Sequence, residues 1–145
     1  MNYARPHERF AARLSLTPHA VSAFAHAVGG ENPLHHDDAI AARSRFGRVF
    51  ASGAQTTGHL MALTATHFAQ RGAMVGLEFW FGFKKPVYAD ETVDLEWLVI
   101  SVKPTSRRDG EIVDLRGRLR NQRGETAVGA KGRVLVSEHT STIET

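Results

Sequence analysis

Three features of this 145-residue chain predict an α+β domain in which a curled antiparallel β-sheet wraps around a long central α-helix. Gly53 to about Gln70 is the longest uninterrupted helical segment, and Leu60, Met61, Leu63, Ala65 and Phe68 spread apolar surface over several of its sides. From Ala73 the hydrophobic period drops from about 3.6 to 2 and stays there to about Val136, which is strand patterning broken only by turns. The length suits one domain with one core, so helix and strands bury their apolar faces against each other.

Taken in order, Glu8 to Leu16 alternates weakly, with Phe10, Ala12, Leu14 and Leu16 on one side, and reads as a first strand. Thr17-Pro18 is a helix N-cap followed by proline at the first helical position, and Val21, Phe24, Ala25 and Val28 recur at helical spacing until Gly29-Gly30. Asp37-Asp38 then caps a short helix through Ala39 to Arg43, its acidic pair favouring the positive end. The long helix follows, and Gly58 inside it points to close approach of another backbone. Next comes an apolar stripe of Val75, Leu77, Phe79, Phe81 and Phe83; it reads first as core, and as one wall of a ligand tunnel if the core is hollow. Pro86 to Glu91 is a turn, Val93 to Val99 alternates up to Pro104, and Ser106 to Gly110 is a hairpin loop. Val113 to Leu119 is opposed by Arg116, Arg118 and Arg120, and Asn121 to Gly124 turns into a last strand from Thr126 to about Val136. From Ser137 the tail is polar and frayed.

Composition narrows the function classes. No cysteine is present, which removes disulfides, thiolate catalysis and sulfur-based zinc sites. No apolar run reaches membrane-spanning length and the start lacks a signal peptide's apolar stretch, so a cytoplasmic protein without a membrane partner is expected. The net charge of +3 is modest, and no basic run interleaved with aromatics points to nucleic acid. Open sheet edges make a homodimer or higher homo-oligomer the expected assembly.

Chemistry concentrates in Gly29-Gly30-Glu31-Asn32-Pro33-Leu34-His35-His36-Asp37-Asp38 and in Val49-Phe50-Ala51-Ser52-Gly53. Two glycines free the first loop, Asn32 supplies an amide, Pro33 fixes the turn, and His35 brings a side chain that titrates near neutrality. His35 reads as an acid–base group or as a histidine that only hydrogen-bonds to its loop. His36, Asp37 and Asp38 do not make a metal set with it, because adjacent residues cannot all face one ion. His59 and His67, two helical turns apart, are expected at the solvent edge or an interface.

These stretches resemble the MaoC-like branch of the hotdog-fold superfamily, which includes (R)-specific enoyl-CoA hydratases and acyl dehydratases. Gly29 to His35 is similar to the hydratase loop Gly-Asp-x-Asn-Pro-Leu-His, Val49 to Gly53 to the Ile-Ala-His-Gly entrance of the central helix, and Phe83 to Val93 to the Phe-x-x-Pro-Val-x-x-Gly-Asp-Thr-Val strand turn. The resemblance implies a single hotdog domain over residues 1–145 that binds an acyl-CoA or acyl carrier protein thioester in fatty acid metabolism, with no cofactor besides that carrier. Hydration of an enoyl thioester needs a base, an acid and donors for the enolate oxygen. Carried over, His35 is the acid–base group, the Gly53 N–H the oxyanion donor, and Asn32 holds the loop or contacts substrate. The sequence departs from the pattern twice, since the Asp position is Gly30 and the His before the helix glycine is Ser52. Glu31, next to the vacant position, either replaces the carboxylate or faces away. Three functions remain open: a hydratase or dehydratase with an altered site, a non-catalytic acyl-thioester-binding or partner subunit, and a hotdog thioesterase. Arg116, Arg118, Arg120, Lys84-Lys85 and Arg107-Arg108 read as solvated surface, or as cations for coenzyme A phosphates or an acidic carrier surface.

Overall fold

The structure is a computed structural model and describes residues 2–106 and 109–139. β1 (Arg9–Ser15) leads into α1 (Pro18–Ala27), a 3-10 turn (Pro33–His35), α2 (Asp38–Arg43) and α3 (Gly53–Ala69). Four strands follow: β2 (Ala73–Phe83), β3 (Thr92–Thr105), β4 (Gly110–Arg120) and β5 (Thr126–Ser137). They form one antiparallel sheet in the order β1-β3-β4-β5-β2, with α3 held against its inner face.

Local chemistry sets the helix starts. Thr17 has extended dihedrals and its Oγ accepts from the Ala20 N–H at 3.1 Å, with Pro18 opening α1. In α3 the buried positions Thr56, Leu60, Thr64 and Phe68 recur every fourth residue, which makes one stripe along the helix. Met61, Ala62 and Ala65 on another side stay exposed. Opposite that stripe, Trp97, Val99, Val113, Val134 and Val136 are fully buried, each side chain contributing about 1.5–3 kcal/mol of burial. The Trp97 Nε1–H donates to the Leu60 carbonyl at 2.9 Å, pinning sheet to helix. Its indole fits because β4 carries Gly117 beside it, where a Cβ would stand 2.5 Å from the ring.

Several expectations change in three dimensions. The stripe of β2 is broken by a bulge between Gly76 and Glu78, which shifts the register. Phe79 and Phe81 face the core, whereas Val75 and Leu77 are turned to the outer face and exposed. Gly58 meets no foreign backbone; a Cβ there would lie 3.7 Å from the Phe24 ring. His59 is half-buried, its ionisation pushed down by that burial, and its Nε2 stands 3.4 Å from Gln55 Nε2. His67 stacks on Phe10 at 3.9 Å and bonds to Glu8 at 2.6 Å, so neither histidine sits at a bare edge. Ser137 is a buried residue of β5 rather than the start of a frayed tail. Arg107, Arg108 and residues 140–145 lie outside the described residues.

Candidate active site

The loop begins where α1 ends. Gly29 has φ +78°, the left-handed turn a glycine takes without strain, and the Gly30 N–H then folds back to the Ala25 carbonyl at 2.6 Å. Asn32 Oδ1 accepts from the Leu34 N–H at 3.0 Å and so caps the 3-10 turn that carries His35. His36 ties this loop to α1. Its Nε2 donates to the Gly30 carbonyl at 2.9 Å, its Nδ1 accepts from the Ser22 hydroxyl at 2.8 Å, and His26 stacks on it at 3.9 Å. Asp37 is used as the cap of α2, accepting from the Ile40 N–H at 3.0 Å.

The second stretch is held by the third. Ala51 N–H donates to the Val87 carbonyl at 2.7 Å and Ala89 N–H to the Val49 carbonyl at 3.1 Å, so residues 49–51 run antiparallel to residues 87–89. Buried Glu91 fixes that turn by accepting from the Tyr88 N–H at 2.8 Å and the Gln122 N–H at 2.9 Å. Phe50 then meets the loop from both sides of its peptide. Its N–H donates to the Leu34 carbonyl at 3.3 Å, and its carbonyl lies 2.7 Å from His35 Nδ1.

That last contact decides the chemistry of His35. A carbonyl only accepts, so Nδ1 carries a proton, and in the neutral imidazole the lone pair is on Nε2. The ring is 7% exposed and packs edge-on against the Phe50 ring, 5.1 Å between centroids. His35 lines a cavity of about 410 Å³ together with Asn32, Gly53 and Thr56. Phe46, Phe50, Phe83, Val87 and Val128 supply its apolar wall, and Arg45, Lys84 and Lys85 also border it. Gly53 opens α3, and among the described residues its N–H has no acceptor. The Phe83 ring lies over it, 3.0 Å from where a Cβ would be.

The structure therefore brings together His35, Asn32 and Gly53. It leaves out Glu31, which is exposed and outside the cavity wall, and Gly30, whose absent side chain would have met the Ala25 carbonyl at 3.0 Å. Ser52 turns its Oγ to the Gln55 N–H at 3.2 Å as the cap of α3 and is likewise not in the wall. Among the described residues no carboxylate lines the cavity. Sequence reasoning missed Phe50 as the acceptor that orients His35, and His36 as the loop's tie to α1. For Phe50 the signal was its place in the Val49 to Gly53 stretch; for His36 there was none, since its partners come from another helix and a glycine carbonyl.

Comparison with known proteins agrees with this geometry. The model of the MaoC like domain family matches residues 4–115. The 3-hydroxybutyryl-CoA dehydratase of Methylorubrum extorquens is 33% identical over 88 residues, which cover 61% of this chain and 55% of that protein. The aligned region thus spans about half the length of this curated relative. Among solved structures, the (R)-hydratase from A. caviae involved in PHA biosynthesis superposes with a TM-score of 0.80 at 27% identity, covering 90% of this chain and 96% of its own. A MaoC-like dehydratase from Rhodospirillum rubrum gives 0.79 at 28% identity, with 94% of each chain covered. A five-stranded antiparallel sheet curled on one helix, a family match over most of the chain and neighbours of the same architecture lead to one conclusion: the chain belongs to the MaoC-like domain family and has the hotdog fold.

Proposed function

We propose that the cavity holds an acyl thioester, carried by coenzyme A or an acyl carrier protein, and that His35 interconverts its 2-enoyl and 3-hydroxyacyl forms as a single acid–base group. The observation that carries this reading is the Phe50 carbonyl on Nδ1, which leaves Nε2 as a base in a cavity that also contains the first residue of α3. In dehydration Nε2 takes the proton from the alpha carbon while the Gly53 N–H receives the developing enolate oxygen. The Nε2 proton then passes to the beta hydroxyl as its C–O bond breaks, water leaves, and the imidazole is neutral again. Hydration runs the same steps backwards. Asn32 supports the mechanism by holding the turn under His35.

Without a carboxylate beside His35 the reaction forgoes a contribution of about 100- to 10,000-fold. That same absence favours a second reading, an acyl-thioester-binding or partner subunit that does not turn its ligand over. The test is hydration of a short and a medium trans-2-enoyl-CoA by the purified chain, followed at the enoyl absorbance with Gly30→Asp alongside. Turnover by the wild type to a 3-hydroxyacyl thioester supports the enzyme, and release of free thiol makes it a thioesterase. A wild type that turns nothing over but binds enoyl-CoA by calorimetry supports the binding role, whether or not Gly30→Asp gains activity. Silence from both, with no enoyl-CoA bound by calorimetry, overturns the pocket assignment.

The proposed assembly is a homodimer, in the cytoplasm and without nucleic acid or membrane partners. Its support is the free edge of β2, a terminal strand of the sheet, where Val75 and Leu77 are exposed. Among the described residues no helix is long and apolar enough to cross a membrane. Sedimentation equilibrium tests the dimer, and a monomer at micromolar concentration would remove it.

A further inference from the structure

The outer face of the sheet, away from α3, carries a second cavity of about 380 Å³. The strand register explains its charge. One row crosses the sheet as Arg9, Leu98, Arg116, Lys131 and Trp80, one residue from each strand. In the row on one side Arg118 pairs with Glu96; on the other, Arg133 pairs with Asp114 at 2.8 Å and faces Glu78 at 3.9 Å. The central row has no such compensation: among the described residues Arg9, Arg116 and Lys131 form no ion pair. Arg116 and Lys131 stand directly opposite each other on neighbouring strands, an arrangement that costs stability unless an anion sits between them.

At the end of that row Trp80 is 57% exposed, with its indole leaning over Gly82, where a Cβ would stand 2.8 Å from the ring. Lys131 Nζ lies 5.6 Å from the ring centroid. Two strand spacings, roughly 10 Å, separate Arg116 from Trp80. An exposed indole beside two cations that form no ion pair among the described residues, in a cavity whose one carboxylate, Glu96, is held by Arg118, suits a ligand with an aromatic base at one end and phosphates at the other. A second copy of the chain would fit badly, because stacking two such faces sets cations against cations.

We infer that this row binds the base and phosphates of a nucleotide, with the ring on Trp80 and the phosphates on Lys131 and Arg116. Lys84 links the row to the catalytic cavity: it borders that cavity, and its aliphatic chain packs 3.4 Å from a Cβ built on Gly129 in the floor of the outer one. Resting on the acyl-thioester reading above, the inference makes coenzyme A the carrier, its nucleotide end lying around the end of the sheet; a free nucleotide has the same chemistry.

The test follows tryptophan emission of the full chain during titration with ADP, coenzyme A, adenosine and inorganic pyrophosphate. Trp97 is 1% exposed, so quenching reports Trp80. ADP and coenzyme A are expected to bind with a Kd below about 1 mM, and adenosine or pyrophosphate about tenfold more weakly. By calorimetry, Trp80→Ala weakens ADP by about 5- to 150-fold, and Arg116→Gln and Lys131→Gln each by about tenfold. Coenzyme A tighter than ADP, with the advantage lost in Lys84→Gln, assigns the site to the carrier; equal affinities indifferent to Lys84 assign it to a free nucleotide. No saturable quenching, affinities that ignore all three substitutions, or quenching that tracks self-association overturns it. Enoyl-CoA turnover is read separately, so nucleotide binding without turnover removes the catalytic reading alone.

Discussion

The two ends of α3 use the same materials in opposite ways. At its C-terminal end Glu8, His67 and Arg71 are spent on one another. Glu8 accepts from His67 at 2.6 Å, from Arg71 at 2.7 Å and from the Arg5 N–H at 3.1 Å, and Phe10 covers the imidazole. Burial pushes the Glu8 carboxyl up, but those hydrogen bonds and the Arg71 charge outweigh it and hold the group at about 2. At the N-terminal end the partners are incomplete. His35 uses one nitrogen and keeps the other, and the Gly53 N–H has no acceptor among the described residues. A closed network of this kind contributes stability; an open one contributes capacity to bind, at some cost in stability. The contrast supports the proposed site at the N-terminal end of the helix without reference to any motif.

The largest effect expected at the open end is on rate. His35→Ala lowers enoyl-CoA turnover per folded molecule by about 100- to 10,000-fold, and it also costs about 1–3 kcal/mol of stability by leaving the Phe50 carbonyl unpaired; a variant with wild-type turnover would leave the open end without chemistry. The closed end shows the mirror image. Glu8→Gln removes about 3 kcal/mol of stability and leaves turnover per folded molecule unchanged. Because the folded carboxyl lies below its usual value of 4.5, that stability is complete above about pH 4.5 and is lost as pH falls toward 2. Urea titrations across that range read it as a slope that flattens in the variant, and an equal slope in both proteins would break the assignment.

Smaller changes sharpen the boundary between the ends. Ser52→Ala deletes the cap of α3 and costs about 1 kcal/mol, yet it spares turnover per folded molecule, since the hydroxyl faces Gln55 rather than the cavity. The smallest effect belongs to Glu31→Gln. An exposed loop carboxylate outside the cavity wall changes stability by less than about 0.5 kcal/mol and turnover not at all. Turnover lost in that variant would return a carboxylate to the mechanism.

Much of the fold was legible because its signals are local. Thr17-Pro18 sets a helix start through its own hydroxyl and ring, Gly29 turns the chain through its own φ, and alternation along β4 assigns faces residue by residue. The same locality limited the reading of β2, where an unbroken stripe of apolar residues gave no hint of the bulge that turns Val75 and Leu77 outward. A bulge depends on what the neighbouring strand offers, and β5 lies about 50 residues away in the chain.

At the site the sequence determined which groups were present: an imidazole, an amide, a helix-opening glycine, and no carboxylate at position 30. It also determined that these sit on two short stretches flanking a turn and a helix start. Only the tertiary structure decided which of them meet. His35 acquired its tautomer from a carbonyl 15 residues away, Glu31 was left in solvent, and Arg116, Lys131 and Trp80 were aligned by the pairing of three strands. Residue types and periods are properties of neighbours along the chain, whereas tautomer, exclusion and register are set by groups that only folding makes neighbours.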